Sequence, residues 1–118
     1  MVALAYYSMY HCLLAALFRI GIKCENHAAS ILLLKNVFEI DPTKISKAKS
    51  DRIDKQYYVD FSVNKEEAKN SIEIAEDFIT EVNNLIETLS EETIEKYHKK
   101  AISLFVEEKR DNNSKSSN

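Results

Sequence analysis

The sequence predicts an all-α protein, an up-and-down bundle of four to five helices. The chain of 118 residues contains one Gly and one Pro, so it is poor in the residues that tight turns and β-bulges require. Strong helix formers such as Glu, Lys, Leu and Ala are abundant. From residue 72 to residue 89, apolar residues recur at steps of three and four. With 45% apolar residues, a chain of this length can bury one modest core.

The first predicted helix contains the stretch AYYSMYHCLLAALFRIG, residues 5–21, and ends at Gly21. No charged residue precedes Arg19, but the stretch is short for a membrane span and has Tyr and His at its centre. No basic segment of a signal peptide precedes it. A helix that is apolar nearly all round is expected to pack on several sides. One apolar seam follows helical spacing: Val2, Tyr6, Met9, Leu13, Ala16 and Ile20.

The second helix is predicted over residues 26–38, with Ala29, Leu32, Leu33 and either Val37 or Phe38 facing inward. Asp41 and Pro42 then mark a helix start, because Asp caps well and Pro suits the first helical position. The third helix is predicted over residues 43–56. We expect residues 57–63 to form an extended connector, since a single strand has no partner to pair with.

A capping box at Asn64 and Glu67 predicts the start of the fourth helix. Its expected buried stripe is Ile72, Ala75, Ile79, Val82, Ile86 and Leu89. Ser90 is the predicted cap of a fifth helix, with a buried stripe of Ile94, Tyr97, Ala101, Leu104 and Phe105. The bundle is therefore expected to cover residues 1–109, followed by a disordered polar tail over residues 110–118.

Charge is distributed unevenly along the chain, whose net charge is −3. Residues 1–63 carry 8 basic and 6 acidic residues, whereas residues 64–118 carry 8 basic and 13 acidic ones. Any contact with nucleic acid therefore needs a local basic face. One side of the third helix offers such a face, made of Lys44, Lys47, Arg52 and Lys55. Tyr57 and Tyr58 follow and could stack on a base, although Asp51 and Asp54 could equally leave a neutralised, solvated face.

Motifs for other chemistry are weak. With one Gly there is no phosphate-binding loop, and no nucleophile-elbow pattern is present. Cys24 and His27 have the spacing of zinc ligands, but His11 and Cys12 are helix neighbours that point about 100° apart, so we predict neither a metal nor a cofactor. Two cysteines without a secretory pattern indicate free thiols in a reducing cytoplasm.

Tyr7 and His11 lie four residues apart and could share a proton-transfer role. The alternative is a buried His11 that hydrogen-bonds to a neighbouring helix.

Three motifs resemble those of the HEPN domain family, in particular its small stand-alone archaeal and bacterial members. They are AYYSMYH at residues 5–11, Arg52 followed by Tyr57, Tyr58 and Asp60, and AEDFI at residues 75–79. The likeness covers roughly residues 5–90. It implies a helical bundle that dimerises and often acts with a minimal nucleotidyltransferase partner in a toxin–antitoxin or defence pair. Many relatives are metal-independent ribonucleases with an Arg-x₄₋₆-His motif at the dimer interface, but here Tyr57 and Tyr58 stand where that His would fall.

Family members usually carry a further helix before the AYY helix, whereas Met1 here falls almost within that helix. A misplaced start, a truncated chain or a protein without the extra helix would each account for this. The missing helix would leave an apolar groove beside Tyr6, Met9 and Leu13, and large exposed apolar patches usually become interfaces. We therefore expect a homodimer that forms through this groove.

Three functions follow from these observations, and we favour the first. It is a module that binds RNA or nucleotide through Lys44, Lys47, Arg52, Lys55 and Tyr58, with a nucleotidyltransferase-like partner. The second is a ribonuclease in which Arg52 stabilises the phosphate while His11 or Tyr57 transfers protons. The third is a structural bundle that only dimerises.

Overall fold

A computed structural model describes the backbone of residues 2–56 and 65–116 and the side chains of residues 4–51 and 65–104. Within these ranges the chain forms five α-helices: α1 (Val2–Arg19), α2 (His27–Asn36), α3 (Thr43–Gln56), α4 (Lys65–Glu87) and α5 (Glu91–Ser116). The predicted all-α class is confirmed. The expected connector at residues 57–63 and the expected cap at Asn64 lie outside the described residues.

Side-chain caps fix where three of the helices begin. At α2, the Asn26 Oδ1 accepts a hydrogen bond from the Ala29 amide at 2.9 Å. At α3, the Asp41 carboxylate accepts from the amide and the hydroxyl of Thr43, and these bonds hold the pKa of Asp41 below its ordinary value. At α5, Ser90 and Thr93 cap each other's amides reciprocally. The predicted caps at Asp41 and Ser90 are confirmed, and each satisfies amides that a helix start leaves without partners.

One half of α1 forms the centre of the core. The predicted seam is confirmed from Tyr6 to Ile20, since Tyr6, Met9, Leu13, Ala16 and Ile20 are at most 1% exposed. Ile45 of α3 and Phe78 and Val82 of α4 are also fully buried. Residues of α2, α3 and α4 all contact α1. No helix in the described part of the chain is long and apolar enough to cross a bilayer.

The other half of α1 faces solvent, so α1 packs against α2, α3 and α4 as predicted but is not enclosed all round. Leu4 is 66% exposed and Phe18 77% exposed, and His11 is exposed between them. The physical reason is that the neighbouring helices cover the same half of α1. The molecule is correspondingly flat, with principal extents of 45 × 43 × 18 Å. Its radius of gyration of 16.3 Å exceeds the value of about 13.5 Å typical of a domain of this length.

Three local predictions are corrected. Leu32, predicted to face inward, is exposed; Ser30 takes the buried position because its hydroxyl donates to the Asn26 carbonyl. Ile72 is exposed as well, while Phe78 fills the core of α4. Helix α5 continues to Ser116 through the segment predicted to be a disordered tail, since propagating a helix adds one hydrogen bond for each residue fixed.

Gly21 and His98 together end α1. Gly21 has φ +81°, the left-handed region that favours glycine, and its amide donates to the Phe18 carbonyl. The His98 Nδ1–H donates to the Ile20 carbonyl at 2.8 Å, because a carbonyl oxygen can only accept. A Cβ at position 21 would lie 3.1 Å from the His98 Nδ1. This contact ties α5 to the end of α1.

Gly21→Ala is expected to lower the free energy of unfolding by about 1–2 kcal/mol, because alanine resists the left-handed backbone. The added methyl also presses on the His98 ring, which increases the loss. Urea denaturation followed by circular dichroism measures it, and the same substitution made in His98→Ala isolates the backbone part. Equal losses in both backgrounds would show that the His98 contact does not restrict position 21.

Candidate functional site

The cations predicted on the third helix are partly brought together. Lys44 and Lys47 lie one turn apart on α3 and are both exposed, and Asp51 follows one turn later. Arg52 and Lys55 continue the same helix, but their side chains lie outside the described residues, as do Tyr57 and Tyr58 entirely. The described part of the basic face is therefore a lysine pair beside a carboxylate.

A cleft of about 300 Å³ opens beside this lysine pair, between α1, α3 and α4. Its apolar lining comes from Ala5, Met9, Ala48 and Ile74. Its polar lining comes from Thr43, Lys44, Lys47, Asp51, Glu67, Asn70 and Ser71. Two ammonium groups and two carboxylates thus border one concave surface with an apolar lining. Sequence reasoning found the lysines but missed Glu67 and Asn70, because their place beside α3 depends on how α4 packs.

His11 does not join this cleft. It is exposed, so the alternative of a buried histidine is wrong, and its ring centroid lies 6.2 Å from that of Tyr10. Met9 lines the cleft, and side chains two positions apart on a helix point in nearly opposite directions. His11 and the α3 lysines therefore lie on opposite sides of α1. The Arg52 side chain and Tyr57 lie outside the described residues, so the proposed joint action of Arg52, His11 and Tyr57 stays a prediction.

The predicted groove at Tyr6, Met9 and Leu13 is also wrong, because all three side chains are buried inside the single chain. The uncovered surface is instead the opposite half of α1, which we name the α1 open face: Leu4, Tyr7, His11, Ala15 and Phe18. These five residues follow helical spacing and are not acidic or basic, and the exposed Ser8 and Arg19 border them on the same half of the helix.

The structure forms a tyrosine–histidine pair that the sequence analysis does not predict. The Tyr6 hydroxyl and the His27 Nδ1 share a hydrogen bond of 2.5 Å, and Tyr6 is fully buried. The Tyr10 ring stacks on His27 with centroids 3.9 Å apart. Tyr6 and His27 are 21 residues apart in the sequence, so no local spacing pattern predicts this pair. The pair joins α1 to the start of α2.

Both cysteines are free thiols in separate environments. Burial raises the pKa of the Cys12 thiol, which lies 3.8 Å from the Asn83 Oδ1, while the Cys24 thiol donates to the Asn26 carbonyl. Among the described side chains, no three His, Cys, Asp or Glu residues are grouped so that they could hold a metal ion.

Comparison with known proteins identifies a family. The sequence model of the HEPN domain matches residues 1–85, which contain α1, α2, α3 and nearly all of α4. No curated protein and no solved structure is significantly similar to the chain.

Tyr6→Phe is expected to lower the free energy of unfolding by about 1–2 kcal/mol, because a hydrogen bond in the core is lost and the His27 Nδ1 loses its hydroxyl partner. Tyr10→Phe is the matched control, since it keeps the ring that stacks on His27. Thermal and urea denaturation of both variants provide the comparison. A Tyr6→Phe protein as stable as the Tyr10→Phe protein would contradict a stabilising role for this bond.

Proposed function

The chain belongs to the HEPN domain family, and from this premise we propose that it is a homodimeric module that binds RNA or nucleotide. Membership in this family indicates an RNA-related or nucleotide-related function. The finer proposal includes a nucleotidyltransferase-like partner in a toxin–antitoxin or defence pair. That part comes from the family resemblance, and the remaining parts draw on the geometry of the chain.

One observation carries the binding proposal: Lys44 and Lys47 project from the same side of α3 into solvent beside a cleft. Lysine ammonium groups are point charges that suit phosphate oxygens. Arg52 and Lys55, further along the same helix, are proposed to extend the contact with the backbone of the nucleic acid, and Tyr58 to stack on a base. Because the chain as a whole is acidic, this local basic face is also expected to orient the ligand.

The α1 open face supports the homodimer. It is uncharged, and Leu4 and Phe18 expose most of their side chains there. A standard interface covers about 800 Å² on each partner, so a twofold contact would include neighbouring surface as well as the five residues of the α1 open face. A twofold axis would place the same residues of both copies against one another.

Cleavage of RNA is the second candidate function, and the exposed imidazole of His11 on the α1 open face is the observation that favours it. Since His11 lies across α1 from the lysines of its own chain, a nuclease site would need groups from a second copy. Cleavage that persists in excess EDTA, yields a 2′,3′-cyclic phosphate and is abolished by both His11→Ala and Arg52→Ala would establish this function.

Lys44→Ala combined with Lys47→Ala is expected to weaken binding of single-stranded RNA. It should also reduce the slope of log affinity against log salt by about 1.4, since each phosphate contact with a single strand contributes about 0.7. Fluorescence anisotropy with a labelled oligonucleotide at several salt concentrations measures both quantities.

The matched control for this experiment is Lys23→Ala combined with Lys99→Ala. It removes the same charge from lysines that are 85% and 74% exposed elsewhere on the surface. Equal losses of affinity in the two double variants would mean that the α3 face is not the binding surface, and no salt-dependent binding by the wild type would refute the proposed function.

Phe18→Asp is expected to convert the homodimer to monomer, because it places a carboxylate in the middle of an apolar contact. Leu32→Asp is the control, since Leu32 is 53% exposed on α2 and lies outside the α1 open face. Sedimentation velocity over a range of concentrations gives the oligomeric state. A wild-type protein that stays monomeric at high concentration would contradict this part of the proposal.

A further inference from the structure

The cleft between α1, α3 and α4 has two chemically different ends. Lys44 and Lys47 lie on the first two turns of α3, and Asp51 lies one turn beyond Lys47. Because an α-helix rises 1.5 Å per residue, the span from Lys44 to Asp51 is about 10 Å. The exposed amide of Asn70 approaches from α4. Along α3 the cleft therefore changes from cationic donors to a carboxylate, and Glu67 adds a second carboxylate from the first turn of α4.

The cleft also has an apolar wall, which is built partly of core residues. Met9 is fully buried in the core and also lines the cleft, with Ala48 and Ile74 beside it. Such a surface accepts the face of a flat ring, because burying apolar area is favourable and the polar groups at the rim remain free to hydrogen-bond at the ring's edges. The volume of about 300 Å³ lies at the small end of ligand pockets, which suits a single small unit rather than a stretch of duplex.

We propose that this cleft binds one nucleotide unit, with the phosphate at Lys44 and Lys47 and the base against Met9, Ala48 and Ile74. This inference rests on the proposed function and specifies its ligand. A nucleotide matches the order of groups along the cleft: an anion, then a flat ring, then hydrogen-bond donors at the far edge. Inside a duplex the base faces are stacked, so the cleft selects an unstacked base.

The carboxylate at the far end makes guanine the preferred base. The N1–H and N2–H groups of guanine are adjacent donors, and one carboxylate can accept both, as in other bidentate contacts. Adenine presents a donor beside an acceptor at the same edge, which leaves one carboxylate oxygen opposite a lone pair. The Asn70 amide can donate to the O6 of guanine. A well-placed bidentate contact gives about tenfold discrimination between bases.

The test measures binding of GMP, AMP and inorganic phosphate to the full chain by NMR chemical-shift titration. GMP is expected to bind about tenfold more tightly than AMP, with the largest shifts at the amides of Ala48, Asn70 and Ser71. Inorganic phosphate is expected to shift Lys44 and Lys47 only. Asp51→Asn should remove the preference for GMP, whereas Glu81→Gln, which neutralises an exposed carboxylate of α4 outside the cleft lining, should retain it.

A second variant keeps the test decisive if Asp51→Asn alters the helix. Ala48→Leu fills the cleft while leaving both lysines in place, so it should abolish GMP binding and retain salt-dependent binding of RNA. Competition then distinguishes the source of the nucleotide: displacement of GMP by a guanine-containing single strand assigns the cleft to RNA, and no displacement assigns it to a free nucleotide.

Equal binding of GMP and AMP, or GMP binding that survives Ala48→Leu, would overturn the inference. If RNA still binds through the lysines in that case, the proposed function stands without it. If neither RNA nor any nucleotide binds, the proposed function fails as well.

Discussion

The arrangement of this protein depends on how the uncharged surface of α1 is covered. No charged residue precedes Arg19, so every side of this helix is apolar or weakly polar. Burying such a surface is the main favourable term in folding, and α2, α3 and α4 achieve it for one half only. That half holds the core through Tyr6, Met9 and Leu13. The other half stays open, and its exposure favours association with a second molecule.

This division of α1 also separates the two surfaces to which we assign functions. The cleft reaches α1 at Ala5 and Met9, while His11 and Phe18 lie on the opposite side of the helix. A ligand in the cleft therefore does not compete with a second copy on the α1 open face. The Tyr6–His27 bond and the His98 contact at the end of α1 keep that helix in register with α2 and α5.

Periodicity and end signals predicted most of the fold, because these features are local in the sequence. The α3 boundaries and the caps at Asp41 and Ser90 follow directly from residue types at fixed offsets. The apolar pattern also predicts the seam from Tyr6 to Ile20, but not which helices bury it. The seam is therefore expected to form a dimer groove, whereas helices of the same chain cover it. The exposure of Leu32 and the pairing of Tyr6 with His27 have the same origin, since both depend on how helices cross. For the candidate site, Lys44 and Lys47 were predictable as a local pair, but Glu67 and Asn70 reach the cleft only through tertiary packing.

Hydroxyl-radical footprinting of the wild-type protein, read by mass spectrometry over a range of concentrations, tests the division of α1 most directly. At high dilution, Tyr7 and Phe18 should be oxidised while Met9, intrinsically among the most reactive side chains, and Tyr6 remain protected. As the concentration rises, Tyr7 and Phe18 should become protected too, with no change at Met9. Oxidation of Met9 and Tyr6 at the rate of Phe18 in the dilute protein would contradict the account, because the buried half of α1 would then not be the core.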